Sequence, residues 1–255
     1  MSLFRAWTTL VWLSFRRLLW SGNTLMVLLP LAACALFLLK RGFDRDGASI
    51  DAFNGFSSFF LGGVFATFVV PICAVAYGTA SIGGDREDRT LLFLLIRPVP
   101  RALILTAKLA ATLPLVLGLV MGSFFVYCQM AGQVGRLAFS LYLPAIFYMT
   151  LAYVCLFHFF AVSFRHSTII ALIYALFMEL LLGNMPGIVK RVAVNYYGRS
   201  MIYAAGAAEG LERPDPQFFE PLSAVTSAWA LVGIAVGGLL LALVIFQRRE
   251  YADLT

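Results

Sequence analysis

The chain has 255 residues, 61% of them hydrophobic and only 13% charged, where soluble domains carry roughly a quarter charged residues. Its mean hydropathy of +0.88 excludes an ordinary soluble domain and points to an all-α bundle of membrane helices, since a helix satisfies every backbone group within its own segment. The net charge of +6 does not mark a nucleic-acid partner, because Lys and Arg are scattered at the ends of apolar runs instead of forming a stripe.

In chain order, residues 2–20 come first. Arg16 and Arg17 interrupt the apolar run and no small-residue cleavage site follows, so a cleavable signal peptide is not expected. On a helical wheel Phe4, Trp7, Val11, Phe15 and Leu18 share one face, and Arg5, Thr9 and Arg16 the opposite one. That pattern predicts an amphipathic helix lying along the headgroups. The competing reading is the start of a long first span, since Trp12 and Leu13 blur the polar face.

The apolar runs then predict six transmembrane helices, at about 22–39, 56–82, 102–130, 139–164, 167–182 and 222–246, most of them near the roughly 20 residues a helix needs to cross a bilayer. Pro30, Pro71, Pro114 and Pro144 fall inside four of these. Membrane helices tolerate such prolines through kinks that neighbours repair. Spans and short connections use almost the whole length, so a single transmembrane domain over 1–255 is expected, with any energy source on another chain.

An even number of spans puts both termini on one side. The positive-inside rule makes that side cytoplasmic: Arg248 and Arg249 close the last span, and the loop after the second span is rich in arginine. By contrast, Lys40, Arg41 and Arg45 are diluted by Asp44, Asp46 and Asp51. A multi-pass protein of the plasma (inner) membrane follows. Residues 183–221, the longest non-spanning stretch, are then external. Their middle is too apolar for a free loop and too polar for a span, so they either dip back into the outer leaflet as short helices capping the bundle or make a surface excursion.

The densest charge lies at 83–101, between two of the most hydrophobic segments. Gly83 and Gly84 end the pattern of the second span, Asp85 is placed to cap a new short helix, and Glu87 and Asp88 sit in its first turn, where the helix dipole favours anions. Leu91, Leu92 and Leu95 follow at helical spacing, and Arg97-Pro98-Val99-Pro100 stops the helix. The prediction is a short amphipathic helix able to lie on the membrane surface or fit another protein's groove.

Gly83-Gly84-Asp85-Arg86-Glu87-Asp88-Arg89-Thr90-Leu91-Leu92, then Arg97-Pro98-Val99-Pro100-Arg101 and Lys108, resembles the signature of ABC-2 type permeases. The family's pattern has glutamate where this chain has Asp85 and glycine where it has Arg89. The resemblance extends to six spans, an amphipathic N-terminal helix and a long external segment before the last span. It implies a permease subunit of an ATP-binding cassette exporter, working as a homodimer or heterodimer of such permeases in the lipid bilayer with separate ATP-binding subunits. It also implies that the helix around Asp85 is a coupling element. On that reading Asp85, Arg86, Glu87, Asp88, Arg89 and Thr90 meet the ATPase, with Leu91 and Leu92 as an apolar plug. No cofactor belongs to this chain, ATP and Mg being carried by the partner. No phosphate-binding Gly-x-x-x-x-Gly-Lys-Ser/Thr loop occurs in it. The alternative is a membrane-integral enzyme or assembly factor that uses the charged loop as a docking patch.

Elsewhere the chemistry is sparse. Glu179, near the end of the fifth span, is a candidate for the translocation path, but the favoured reading has it wetted at the outer interface or paired with Lys190 or Arg191. His158, in an aromatic run, reads as a packed interior residue. Catalytic and metal-binding residues are not expected: there is no nucleophile elbow, no pair of histidines with a glutamate, and Cys34, Cys73, Cys128 and Cys155 lack ligand spacing. Met178 and Met185 read as gap fillers. Gly62-Gly63, Gly118 with Gly122, and Gly233 with Gly237 and Gly238 suit close helix approach, either inside one bundle or at a dimer seam.

Overall fold

The computed structural model describes residues 3–42, 49–88, 90, 94, 99–181, 189–212, 214–216 and 219–248. Among them there are helices and turns but no strand. We number the helices α1 (Leu3–Leu19), α2 (Asn23–Arg41), α3 (Ile50–Gly84), α4 (Arg101–Met130), α5 (Gly132–Ser163), α6 (Ser167–Glu179), α7 (Val194–Gly206) and α8 (Ala224–Arg248). Five of the described helices, α2, α3, α4, α5 and α8, are long and apolar enough to cross a membrane.

The fifth expected span corresponds to α6, a shorter apolar helix among the described residues; residues 182–188 lie outside them. The fourth span begins earlier than the expected 139, because the chain reverses tightly at Ala131–Gly132 and re-enters helix at once. Gly132 supplies the positive φ of 68°, and Gly135 lies so close to the Cys128 carbonyl that any side chain there would overlap it. The second span also starts earlier than 56, where Ser49 accepts a hydrogen bond from the Ala52 amide (3.2 Å) and caps the first turn.

α3 and α5 form the centre of the bundle, and the others pack around them. The core of α3 is aromatic: Phe56, Phe60 and Phe65 are fully buried. Tyr127 of α4 sets its ring edge-on to Phe60 and Phe65 at 5.6 and 5.7 Å between centroids, a favoured aromatic geometry. α2 is peripheral, burying a single stripe of Val27, Leu31, Cys34 and Leu38. All four cysteines are buried and free.

α1 is separate from α2, which decides between the two readings of the N-terminal residues. It packs against α4, burying Ser14 and Leu18 and half-burying Trp7, Val11 and Phe15, while Arg5, Thr9 and Arg16 face out as expected. Phe4, placed on the packing face by the wheel, is exposed instead, because the contact begins one turn later.

The small-residue patches divide. Gly238 packs against the Cys155 backbone of α5 (3.3 Å from its would-be Cβ), so it serves packing inside this bundle. Gly118, Gly122, Gly233 and Gly237 have open space where a side chain would stand.

Candidate functional site: the charged end of the second span

The double glycine was expected to end the second span, with Asp85 capping a new helix. Helical backbone instead continues through Gly83 and Gly84, as a π-helical turn over Ala80–Gly84, into the turn Asp85–Glu87. Asp85 caps nothing by its side chain. Glycine is needed at 83 for proximity, since a Cβ there would stand 2.5 Å from the Ser167 hydroxyl at the start of α6. Nearby, Thr79 and Thr168 hydroxyls are 3.1 Å apart and hydrogen-bonded. These contacts stitch α6 to α3.

Asp85 is therefore at the C-terminal end of a helix, where the dipole disfavours an anion, and its side chain is 1% exposed. Two cations compensate. Arg17, in the last turn of α1, donates to one carboxylate oxygen, and the ammonium of Lys108, two turns into α4, meets the other. The second guanidinium nitrogen of Arg17 donates to Asp88 at 2.5 Å. Thr90 Oγ1 donates to the Asp85 carbonyl at 3.2 Å. One carboxylate thus ties together the N-terminal helix, the second span and the third span.

Arg86 points the other way. Buried at 6% exposure, it donates through Nη1 to the Phe164 carbonyl (3.0 Å), at the end of α5. Ser81 Oγ and His158 Nδ1 are in hydrogen-bond contact at 3.1 Å, with the imidazole fully buried. Arg101 reaches the Gln247 carbonyl near the end of α8 at 3.4 Å. The charged end of the second span is thereby joined to α1, α4, α5 and α6, and α4 in turn to the end of α8.

Of the predicted partner-binding residues, Asp85 and Arg86 turn inward, while Asp88 and Thr90 are exposed. Glu87 closes the last helical turn. Arg89, Leu91 and Leu92 lie outside the described residues, as does most of the predicted amphipathic helix. Arg17 was not foreseen as part of the site. Its signal was the Arg16-Arg17 pair breaking an otherwise amphipathic pattern, and Lys108 was visible as the last letter of the motif but without a partner.

Glu179 is fully buried, so it is neither wetted nor paired with Lys190 or Arg191. Its two oxygens accept from the amides of Val194 (3.0 Å) and Asn195 (2.9 Å), the first residues of α7. Tyr153 and Tyr174 face the same carboxylate. Ala193, the residue before α7, offers no side-chain cap, so the orphan amides of the helix start are satisfied from a different helix. Lys190 instead holds its ammonium 5.8 Å from the ring centres of Tyr196 and Phe219.

A protein-family model described as ABC-2 family transporter protein matches residues 16–251. The chain belongs to the ABC-2 transporter family. A search among curated proteins finds no match. As an ABC-2 permease the chain is a multi-pass membrane subunit of an ABC transporter, of a family whose members generally work as dimers with an ATP-binding subunit. The family match includes Arg17 but leaves out most of α1. In this permease the most heavily charged cluster is the one that ends the second span.

Proposed function

We propose that this permease exports its substrate, driven by ATP hydrolysis on a separate subunit that docks against the turn from Glu87 to Thr90. ATP and Mg belong to that subunit. Both termini and the Asp85 end of α3 face the cytoplasm, in line with the arginines there. The observation that carries the reading is the Arg17 guanidinium bridging buried Asp85 and exposed Asp88. It gives a surface that a partner can push and a rigid connection from that surface into three helices.

The roles of the candidate residues then divide. Glu87, Asp88, Arg89 and Thr90 contact the ATPase, with Leu91 and Leu92 as the apolar part of the docking surface. Asp85 and Arg86 transmit the push, Asp85 to α1 and α4 and Arg86 to the end of α5. A second permease protomer completes the translocation path.

The test is co-purification with the ATP-binding subunit, followed by vanadate-sensitive hydrolysis that needs both chains. Recovery of this chain alone, with catalytic activity of its own, would overturn the proposal. Reversing the charge of Glu87 and Asp88 together is expected to weaken the complex and lower its turnover. Unchanged assembly and turnover would remove those residues from the interface.

A further inference from the structure

α2 pairs with α3 closely at its two ends and leaves a gap between them. Asn23 donates to the Ala76 carbonyl at 2.7 Å, and the Tyr77 hydroxyl to Thr24 Oγ1 at 3.1 Å, which pins the start of α2. Toward the other end Phe37 meets Phe59 and Phe60 at 6.1 and 6.3 Å between ring centroids. In between, both helices carry small residues, Ala33 and Cys34 on α2 and Gly62-Gly63 on α3. A side chain at either glycine would meet only its own helix, 3.4 Å from the Ser57 carbonyl or 3.6 Å from that of Ser58. The outcome is a wholly apolar crevice of about 240 Å³, lined by Ala33, Cys34, Phe37, Phe59, Phe60 and Val64. The part of α3 that lines it is π-helical, over Gly55–Val69, a rare geometry found mostly at functional sites.

Depth and charge identify the occupant. Leu25, Leu29, Leu36 and Leu39 are exposed along α2, so this helix faces hydrocarbon, and a void beside it fills with hydrocarbon because an empty one forfeits dispersion contacts. From Ala33 to Arg41 the helix rises roughly 12 Å at 1.5 Å per residue, close to the half-thickness of a bilayer core, about 15 Å. At that end the Arg41 guanidinium lies over the rings of Phe37 and Phe59, 5.8 and 5.4 Å from their centres. A stacked guanidinium keeps its N–H donors, at the edge of its plane, for an oxyanion. Lys40 is exposed next to it, and among the described residues neither cation has a carboxylate partner. Asp51 is two turns farther out than Phe59 on α3, roughly 12 Å away along the axis.

We propose that the α2–α3 crevice binds one anionic phospholipid, with an acyl chain between Ala33 and Val64 and the phosphate on Arg41. All lipid tails are equally apolar, so the crevice alone gives no preference among them. Selection comes from Arg41 and Lys40, which favour an anionic headgroup over a zwitterionic one. The site requires neither ATP nor a particular side of the membrane, and so stands apart from the transport reading.

The test uses the full chain in phosphatidylcholine nanodiscs doped with phosphatidylglycerol that carries a diazirine on one acyl chain, compared with phosphatidylcholine carrying the same diazirine. After illumination, mass spectrometry is expected to find adducts on residues 33–37 and 59–64, about fivefold more abundant with phosphatidylglycerol, the factor for the about 1 kcal/mol that one cation contributes at a membrane surface. Arg41→Gln should bring that ratio below about twofold. Ala33→Phe, at an exposed position, fills the crevice and should abolish the adducts on 59–64, whereas Leu29→Phe on the outward face should change neither. Equal yields from the two probes, or an unchanged ratio in Arg41→Gln, would overturn the anionic site. Adducts as abundant at Leu25 and Leu29 as in the crevice would reduce it to ordinary boundary lipid. Absence of adducts on 59–64 in the wild type, as when a second copy of the chain covers the crevice, would also overturn it.

Discussion

Asp85 and Lys108 meet as a buried ion pair, joining the end of the second span to the third. The loop between them carries the family signature, and the pair closes that loop at its base. Removing one partner of such a pair leaves an uncompensated charge, which costs about 3–5 kcal/mol. Asp85→Asn, which leaves the buried Lys108 ammonium without its anion while Arg17 keeps Asp88, is therefore expected to lower stability by that order, measured as thermal unfolding in detergent. Adding Lys108→Met should recover more than half of the loss. Additive effects of the two substitutions would show that the residues do not act as a pair.

Asp88 presents a contrast. Its side chain is 62% exposed and its partner Arg17 44%, and an exposed ion pair is worth at most about 1 kcal/mol. Asp88→Arg should leave the unfolding midpoint nearly unchanged. ATP turnover of the complex should fall by about tenfold, the equivalent of one lost charged contact. A variant that unfolds early and turns over normally would reverse the assignment.

Arg86 gives the Phe164 carbonyl a charged donor, a type of bond worth about 1.5–3 kcal/mol. Arg86→Ala should lose stability in that range, and Arg86→Lys should regain part of it. Hydrolysis by the Arg86→Ala complex should drop further than stability alone explains, because the connection to α5 is cut. Equal turnover in Arg86→Ala and wild type would leave Arg86 a purely structural role.

Two glycines on the same helix pair should respond oppositely. A side chain at Gly135 overlaps the Cys128 backbone, which cannot rotate away, whereas Gly118 has open space around it. Gly135→Ala is expected to destabilise by about 3 kcal/mol or more, as overpacking against backbone does. Gly118→Ala should be neutral or slightly stabilising, since alanine favours helix by up to about 1 kcal/mol. Detergent melting curves of the two variants decide the point, and equal losses would refute the contrast.

The membrane class, the family and most of the long helices were legible in the sequence, because hydropathy over a helix is a local sum and the ends of apolar runs mark where it stops. The boundaries that moved did so for tertiary reasons. Gly83 and Gly84 carry the pattern of a helix end, yet the helix continues through them, and Gly83 lies where Ser167 approaches too closely for a side chain. Gly132 and Gly135 let the fourth span start at the turn, in a contact between helices that no window of sequence contains.

The charged turn illustrates the same division. Sequence alone determined that Asp85 to Thr90 carries dense charge between two spans, at a place where charge must find water or a partner. Only the tertiary structure decided which charges find partners within the chain. Asp85 meets Arg17 and Lys108, from helices on either side of it in sequence, and Glu179 meets amides fifteen and sixteen residues away. The physical reason is that a buried charge is stabilised by whatever donors packing brings within about 3 Å, and packing is a property of helices meeting in space. The exposed charges, Asp88 above all, are what that pairing leaves facing outward.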